Sequence, residues 1–123
     1  MTPVRYPSLY QINTRVWLTA LSRTRDRPAT LGDIPDAELD RLVETGFDWV
    51  WFLSVWQTGL GGQKISRSNP EWRKEFAETL ADLREEDISG SGFAITGYTV
   101  LRDFGGDAAL ARLASGCNGA ACA

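Results

Sequence analysis

Residues 47 to 55 read Phe-Asp-Trp-Val-Trp-Phe-Leu-Ser-Val, a nearly continuous apolar run that ends against Trp56. A strand half open to water alternates apolar with polar residues, so an unbroken run of this length is expected as a strand covered on both faces. Trp49 and Trp51, two residues apart, share one face of it and are expected in the core. The segment ahead of the run has a different period. Asp33 and Pro35 open a stretch in which Ile34, Leu39, Leu42 and Val43 recur at helical spacing up to Gly46, which predicts an amphipathic helix of about three turns closed by glycine. Earlier still, Ser8 to Trp17 is rich in aromatic and β-branched residues and reads as a strand leading into a loop. Strand, helix and buried strand make a βαβ unit, whose parallel pairing requires a crossover connection. The fold class expected is α/β.

Residues 57 to 94 differ in character. They begin with Gly59, Gly61 and Gly62, pass through Asn69-Pro70 and end in Ser89-Gly90-Ser91-Gly92, as a long loop and helix excursion after the second strand would. Within it, Trp72, Phe76, Leu80 and Leu83 are spaced by three and four, so a helix is expected over 70–83. Gly59-Leu-Gly-Gly-Gln-Lys-Ile-Ser66 lacks the adjacent glycine, lysine and hydroxyl residue of a phosphate loop and reads as a flexible loop. A further helix starts at Gly106-Asp107, with Ala108, Leu110, Ala111 and Leu113, and its pattern breaks off within two turns.

Charge narrows the function classes. Thirteen Lys and Arg against sixteen Asp and Glu leave a net charge of -3 with no long run of either sign, so neither nucleic acid nor a membrane is expected as a partner. No apolar segment approaches the ~20 residues of a membrane span, and the first residues lack a signal peptide's apolar core, so a cytoplasmic product is expected. The absence of histidine removes the commonest general base and metal ligand and leaves carboxylates for any acid-base chemistry. Glu85, Glu86 and Asp87 read as a solvated helix end, because hydrolytic carboxylates must face each other about 5 Å apart across a substrate. Arg15 and Asp48 are expected in ion pairs of the intact parent protein. No catalytic residue, cofactor or metal ligand is assigned.

Residues 114–123 abandon the helical pattern and hold both cysteines, Cys117 and Cys122, with no further Cys or His to complete a zinc shell. A GC-rich coding of this tail, read one nucleotide out of frame, gives Arg-Glu-Arg-Leu-Gln-Arg-Arg-Gly-Leu-Arg-Leu: helix, glycine cap and strand start. The tail is therefore expected to be an aberrant, frameshifted end to the portion spanning 1–113.

Three segments carry a family resemblance: Tyr6 to Trp17, Gly46 to Trp56, and Gly97-Tyr-Thr-Val-Leu-Arg-Asp-Phe-Gly-Gly-Asp-Ala-Ala-Leu110. Together, in this order and spacing, they resemble the beginning of the α-amylase family of glycoside hydrolases. The resemblance implies the first βαβ portion of a (β/α)8 TIM barrel, left incomplete, with the active site on loops that follow the strands. It also implies a retaining mechanism with an aspartate nucleophile and a glutamate acid/base. The family carries these after later strands, so these 123 residues are expected to be inactive alone.

What carries over is small. Tyr98 matches the tyrosine that packs against the sugar beside the scissile bond; Thr99 stands where some relatives have aspartate. Trp56, where the second strand opens into its loop, is the second candidate for substrate binding. The expected partners are an α-glucan or oligosaccharide and the missing remainder of the barrel. The alternative is a small non-catalytic carbohydrate-binding or interaction protein derived from the barrel.

Overall fold

The computed structural model describes residues 6–117 and the backbone of 121–122. In chain order the elements are β1 (Leu9–Asn13), α1 (Thr14–Arg25), α2 (Asp36–Thr45), β2 (Trp49–Leu53), β3 (Trp56–Thr58), α3 (Leu60–Ser68), α4 (Pro70–Thr79), β4 (Ile95–Val100), α5 (Gly106–Ser115) and β5 (Ala121–Cys122). Short 3-10 turns lie at Leu31–Asp33, Glu85–Asp87 and Arg102–Phe104. The fold is mixed α/β, with two small sheets ordered β1-β2-β5 and β3-β4, and among the described residues neither closes into a barrel. The chain divides into two compact units, 1–55 with 99–123, and 56–98.

In the first unit β1 and β2 run parallel in the register Leu9↔Trp49 through Asn13↔Leu53. The connection between them is more helical than expected. The strand foreseen over Ser8 to Trp17 stops at Asn13, whose side-chain oxygen accepts from Val16 N at 3.3 Å and caps α1. That cap satisfies one of the orphan N–H groups of a new helix, and Leu18, Ala20 and Leu21 carry it on. Arg23 and Arg25 in the last turn suit the negative end of the helix dipole. The helix foreseen before Gly46 is α2; Gly46 sits at φ 103 and returns its N–H to Leu42 and Val43 carbonyls.

The expectation that β2 is covered on both faces is corrected. Val50 and Phe52 are buried, as is Ile12 beside them, and the Trp17 ring stacks on Phe52 with centroids 6.2 Å apart. The opposite face is open, with Trp49 43% and Trp51 40% exposed, so neither tryptophan is core. An unbroken apolar run shows that a strand avoids water; it does not show which side is sheltered within a given chain. The core of this unit is Leu31, Ile34, Leu39, Leu42, Phe104 and Leu113, under α2 and α5.

The helix expected to fail within two turns runs ten residues as α5 and ends at Ser115. Asp107 in its first turn accepts from Val100 N at 2.8 Å. Gly105, at φ 98, lets α5 approach the Leu31–Asp33 turn: a Cβ there would lie 2.5 Å from that of Ala109 and 2.9 Å from that of Thr30. Beyond it, the backbone of Ala121–Cys122 joins β2 in parallel, Ala121 opposite Trp49. The side chain of Cys122 lies outside the described residues, and with it the question of what the tail's two cysteines hold.

The second unit holds the excursion. The loop foreseen over Gly59 to Ser66 is instead helix α3, despite glycines that each cost about 1 kcal/mol in a helix interior. Gly90, at φ 79, crosses so close to α3 that a Cβ on it would lie 2.8 Å from Gln63 N and 2.9 Å from the Gly62 carbonyl carbon. Asn69 ends α3 through its N–H to Ile65 and caps α4 by accepting from Glu71 N and Trp72 N, with Pro70 in the first turn. The helix foreseen over 70–83 therefore begins where expected but ends at Thr79. Ile88 is the buried anchor of the return, and its carbonyl accepts from Arg67 Nε at 3.0 Å.

Candidate functional site

The two residues proposed to meet a sugar are brought together in the second unit. β3 presents Trp56 and β4 presents Tyr98, far apart in sequence, with ring centroids 5.9 Å apart and planes at 75°. Strand pairing supplies the proximity: Gly59 N donates to Ala94 O at 3.4 Å, and the Thr96 hydroxyl donates to Gln57 O at 3.4 Å. Edge-to-face contact suits the positive rim and negative face of aromatic rings and fixes their mutual orientation. Tyr98 remains 82% exposed, while Trp56 is half-buried. Gly97 beside Tyr98 has open space where a side chain would stand. A flat, oriented and accessible ring of this kind matches the C–H face of a pyranose.

Two acidic side chains of the excursion, Glu85 and Asp87, are engaged otherwise. Glu85 accepts from Arg73 Nη1 at 3.0 Å and lies 3.8 Å from Arg67 Nε, and Asp87 accepts from Arg84 N at 2.8 Å. Glu85, Glu86 and Asp87 form an exposed 3-10 turn, not a helix end. Asp33 has the best-supported carboxylate: Arg27 donates at 2.7 Å, Thr30 N at 2.8 Å, and Arg25 lies 3.4 Å away. The hydrogen bond from Arg27 leads in lowering its pKa to about 2, which fixes it as a structural anion rather than a proton carrier. Arg15 places its guanidinium 5.1 Å from the Phe104 ring centre, and Asp48 accepts from Ser8 N at 2.8 Å. Among the described residues no three His, Cys, Asp or Glu side chains gather as a metal site. No helix among them is long and apolar enough to cross a membrane.

Two features escaped sequence reasoning. Ser54, at φ 64, holds a left-handed backbone at the end of β2, and such strain in a non-glycine residue often marks a functional turn. Thr14, 1% exposed, has a buried hydroxyl without a hydrogen-bond partner. Neither has a signature in a single sequence. Comparison with known proteins finds no matching family model, no matching curated protein and no matching solved structure.

Proposed function

We propose that the chain is the opening β/α portion of an α-amylase-family glycoside hydrolase, in which Tyr98 and Trp56 face an α-glucan or oligosaccharide. The chemistry in that reading belongs to carboxylates of the later barrel strands. The observation that carries it is the pairing of Trp56 with Tyr98, centroids 5.9 Å apart, with Tyr98 open to solvent. The parallel pairing of β1 with β2 supports it, since a TIM barrel sets successive strands side by side. So does the open face of Trp49 and Trp51, which faces away from the helix-packed side, as an unfilled barrel interior would.

In this reading the intact enzyme hydrolyses or transfers α-glucosidic bonds by a retaining mechanism, and the 123 residues alone release no sugar. Two measurements test it. Reading the transcript beyond codon 123 in the shifted frame is expected to yield further barrel strands bearing the acidic residues; an untranslatable stretch there removes the family assignment. Incubating the purified chain with malto-oligosaccharides is expected to release no reducing sugar, and release would overturn the division of labour.

The same ring pair, with Tyr98 exposed, favours a second reading, a small non-catalytic carbohydrate-binding protein. Tryptophan fluorescence separates the two: a saturable change on adding malto-oligosaccharide, lost in Tyr98→Ala, selects the binding protein, and its absence selects the inert barrel portion.

A further inference from the structure

The excursion contains a groove of about 380 Å³ with apolar walls and a single ionisable residue in its lining. Phe76 and Leu80 from the end of α4, Leu83, and Ile88 of the return form the walls. One wall is fixed to α3 by two contacts. Arg67 Nε donates to Ile88 O at 3.0 Å, and Gly90 lies so near the α3 backbone that a Cβ there would collide with it. The ionisable residue is Asp87, exposed at the rim. Arg84 N donates to its Oδ2 at 2.8 Å, and its Oδ1 has no hydrogen-bond partner among the described residues.

Charge around the groove selects the sign of a ligand. Residues 75–87 carry six carboxylates and one arginine. Glu85 is matched by Arg73 and Arg67, and Glu78 by Lys74, which leaves Glu75, Asp82, Glu86 and Asp87 without an ion pair among the described residues. An apolar slot with an anion at its rim and a negative surround attracts cations and repels anions. We propose that this groove binds a small organic cation, a primary ammonium on a compact apolar body of phenylalkylamine size. The body lies against Phe76, Leu80, Leu83 and Ile88, and the ammonium donates to Asp87 Oδ1.

Size and chemistry set other occupants aside. The groove follows only the end of α4, about one turn or ~5.4 Å, whereas a docked helix needs anchors spread over two turns or more. A sugar would bring its hydroxyls against hydrocarbon walls that leave most of them unpaired. The missing part of a barrel would pair with strand edges, and residues 66–90 contain no strand. At 380 Å³ the space falls at the lower end of the range of small-molecule sites. Because Asp87 is exposed, its charge is screened by solvent, so a dissociation constant on the order of 1 mM is expected, with selectivity rather than tightness as the signature.

The test is a nuclear magnetic resonance titration of the full chain with three probes of one size: 2-phenylethylammonium, 2-phenylethanol and phenylacetate. The ammonium is expected to give saturable shifts of the Leu80, Leu83 and Ser89 amides, the alcohol to bind at least about threefold more weakly, and the carboxylate not to saturate up to roughly 10 mM. Asp87→Asn keeps an acceptor for Arg84 N and removes the charge, so it is expected to bring the ammonium down to the level of the alcohol. Leu80→Lys, at a position 38% exposed, places a cation in the wall and is expected to abolish binding of the ammonium. Circular dichroism checks that both variants are folded. Equal binding of ammonium and alcohol overturns the proposal, as does a complete lack of saturation. So does an affinity unchanged in folded Asp87→Asn, or shifts confined to Trp56 and Tyr98. These readouts are independent of sugar binding and of the family assignment.

Discussion

Asp48 holds Ser8 by two contacts from one carboxylate oxygen, accepting from the Ser8 backbone N–H at 2.8 Å and from its hydroxyl at 3.0 Å. The hydroxyl also lies 3.2 Å from Asp48 N, within reach as an acceptor. The pair pins the start of β1 to the start of β2, one residue ahead of the first registered partners. Asp48→Ala removes charge-assisted bonds from a partly buried site and is expected to destabilise the unit by about 1–3 kcal/mol, read as a lower denaturant midpoint. Asp48→Asn is expected to recover part of that loss.

Asp33 makes stability depend on acid. Its folded pKa of about 2 lies below the ordinary carboxylate value of about 3.9, so its contribution is complete above pH ~4 and is lost as pH falls through ~2. The arginine partners are substantially exposed, which keeps the effect small through solvent screening. Melting temperatures measured from pH 5 to 2 are expected to fall less steeply in Asp33→Asn than in the original chain. Equal slopes would remove Asp33 from the account.

Thr14→Val is expected to stabilise the chain. The hydroxyl is buried with no hydrogen-bond partner, and an isosteric methyl removes the desolvation penalty while keeping the packing. A gain of about 1 kcal/mol, or roughly 2–6 °C in melting temperature, is the expected result. A loss would reveal a partner for the hydroxyl in solution.

Gly105 and Gly46 make a matched comparison, since both adopt left-handed backbone, at φ 98 and φ 103. Nothing lies within 4 Å of a Cβ at Gly46, so Gly46→Ala is expected to cost only the backbone term of about 1–2 kcal/mol. Gly105→Ala adds collisions with Ala109 and Thr30 and is expected to cost at least about 1 kcal/mol more by chemical denaturation.

Much of the α2 to β2 passage was legible because hydrophobic period and a glycine cap agree there. The failures share a cause: local composition was read where a tertiary contact decides. Asn13 turns an aromatic, β-branched segment into a helix after five strand residues. Gly61 and Gly62, which read as loop breakers, lie inside α3, and the close approach on that helix is permitted by Gly90 instead. The apolar run places Trp49 and Trp51 in a core, yet burial on their side depends on what stands opposite the sheet. For the candidate site, Tyr98 and Trp56 each carried a signal, whereas their contact depends on the pairing of β3 with β4, which spacing alone does not encode.

The strand order β1-β2-β5 follows the order of synthesis. Each strand of this sheet docks beside the sheet's previously translated strand, with the intervening helices already available to cover the joint. A nascent chain arranged in this way never has to hold a gap open for a strand still inside the ribosome. The sheet can lengthen vectorially, each completed edge serving as the template for the next arrival.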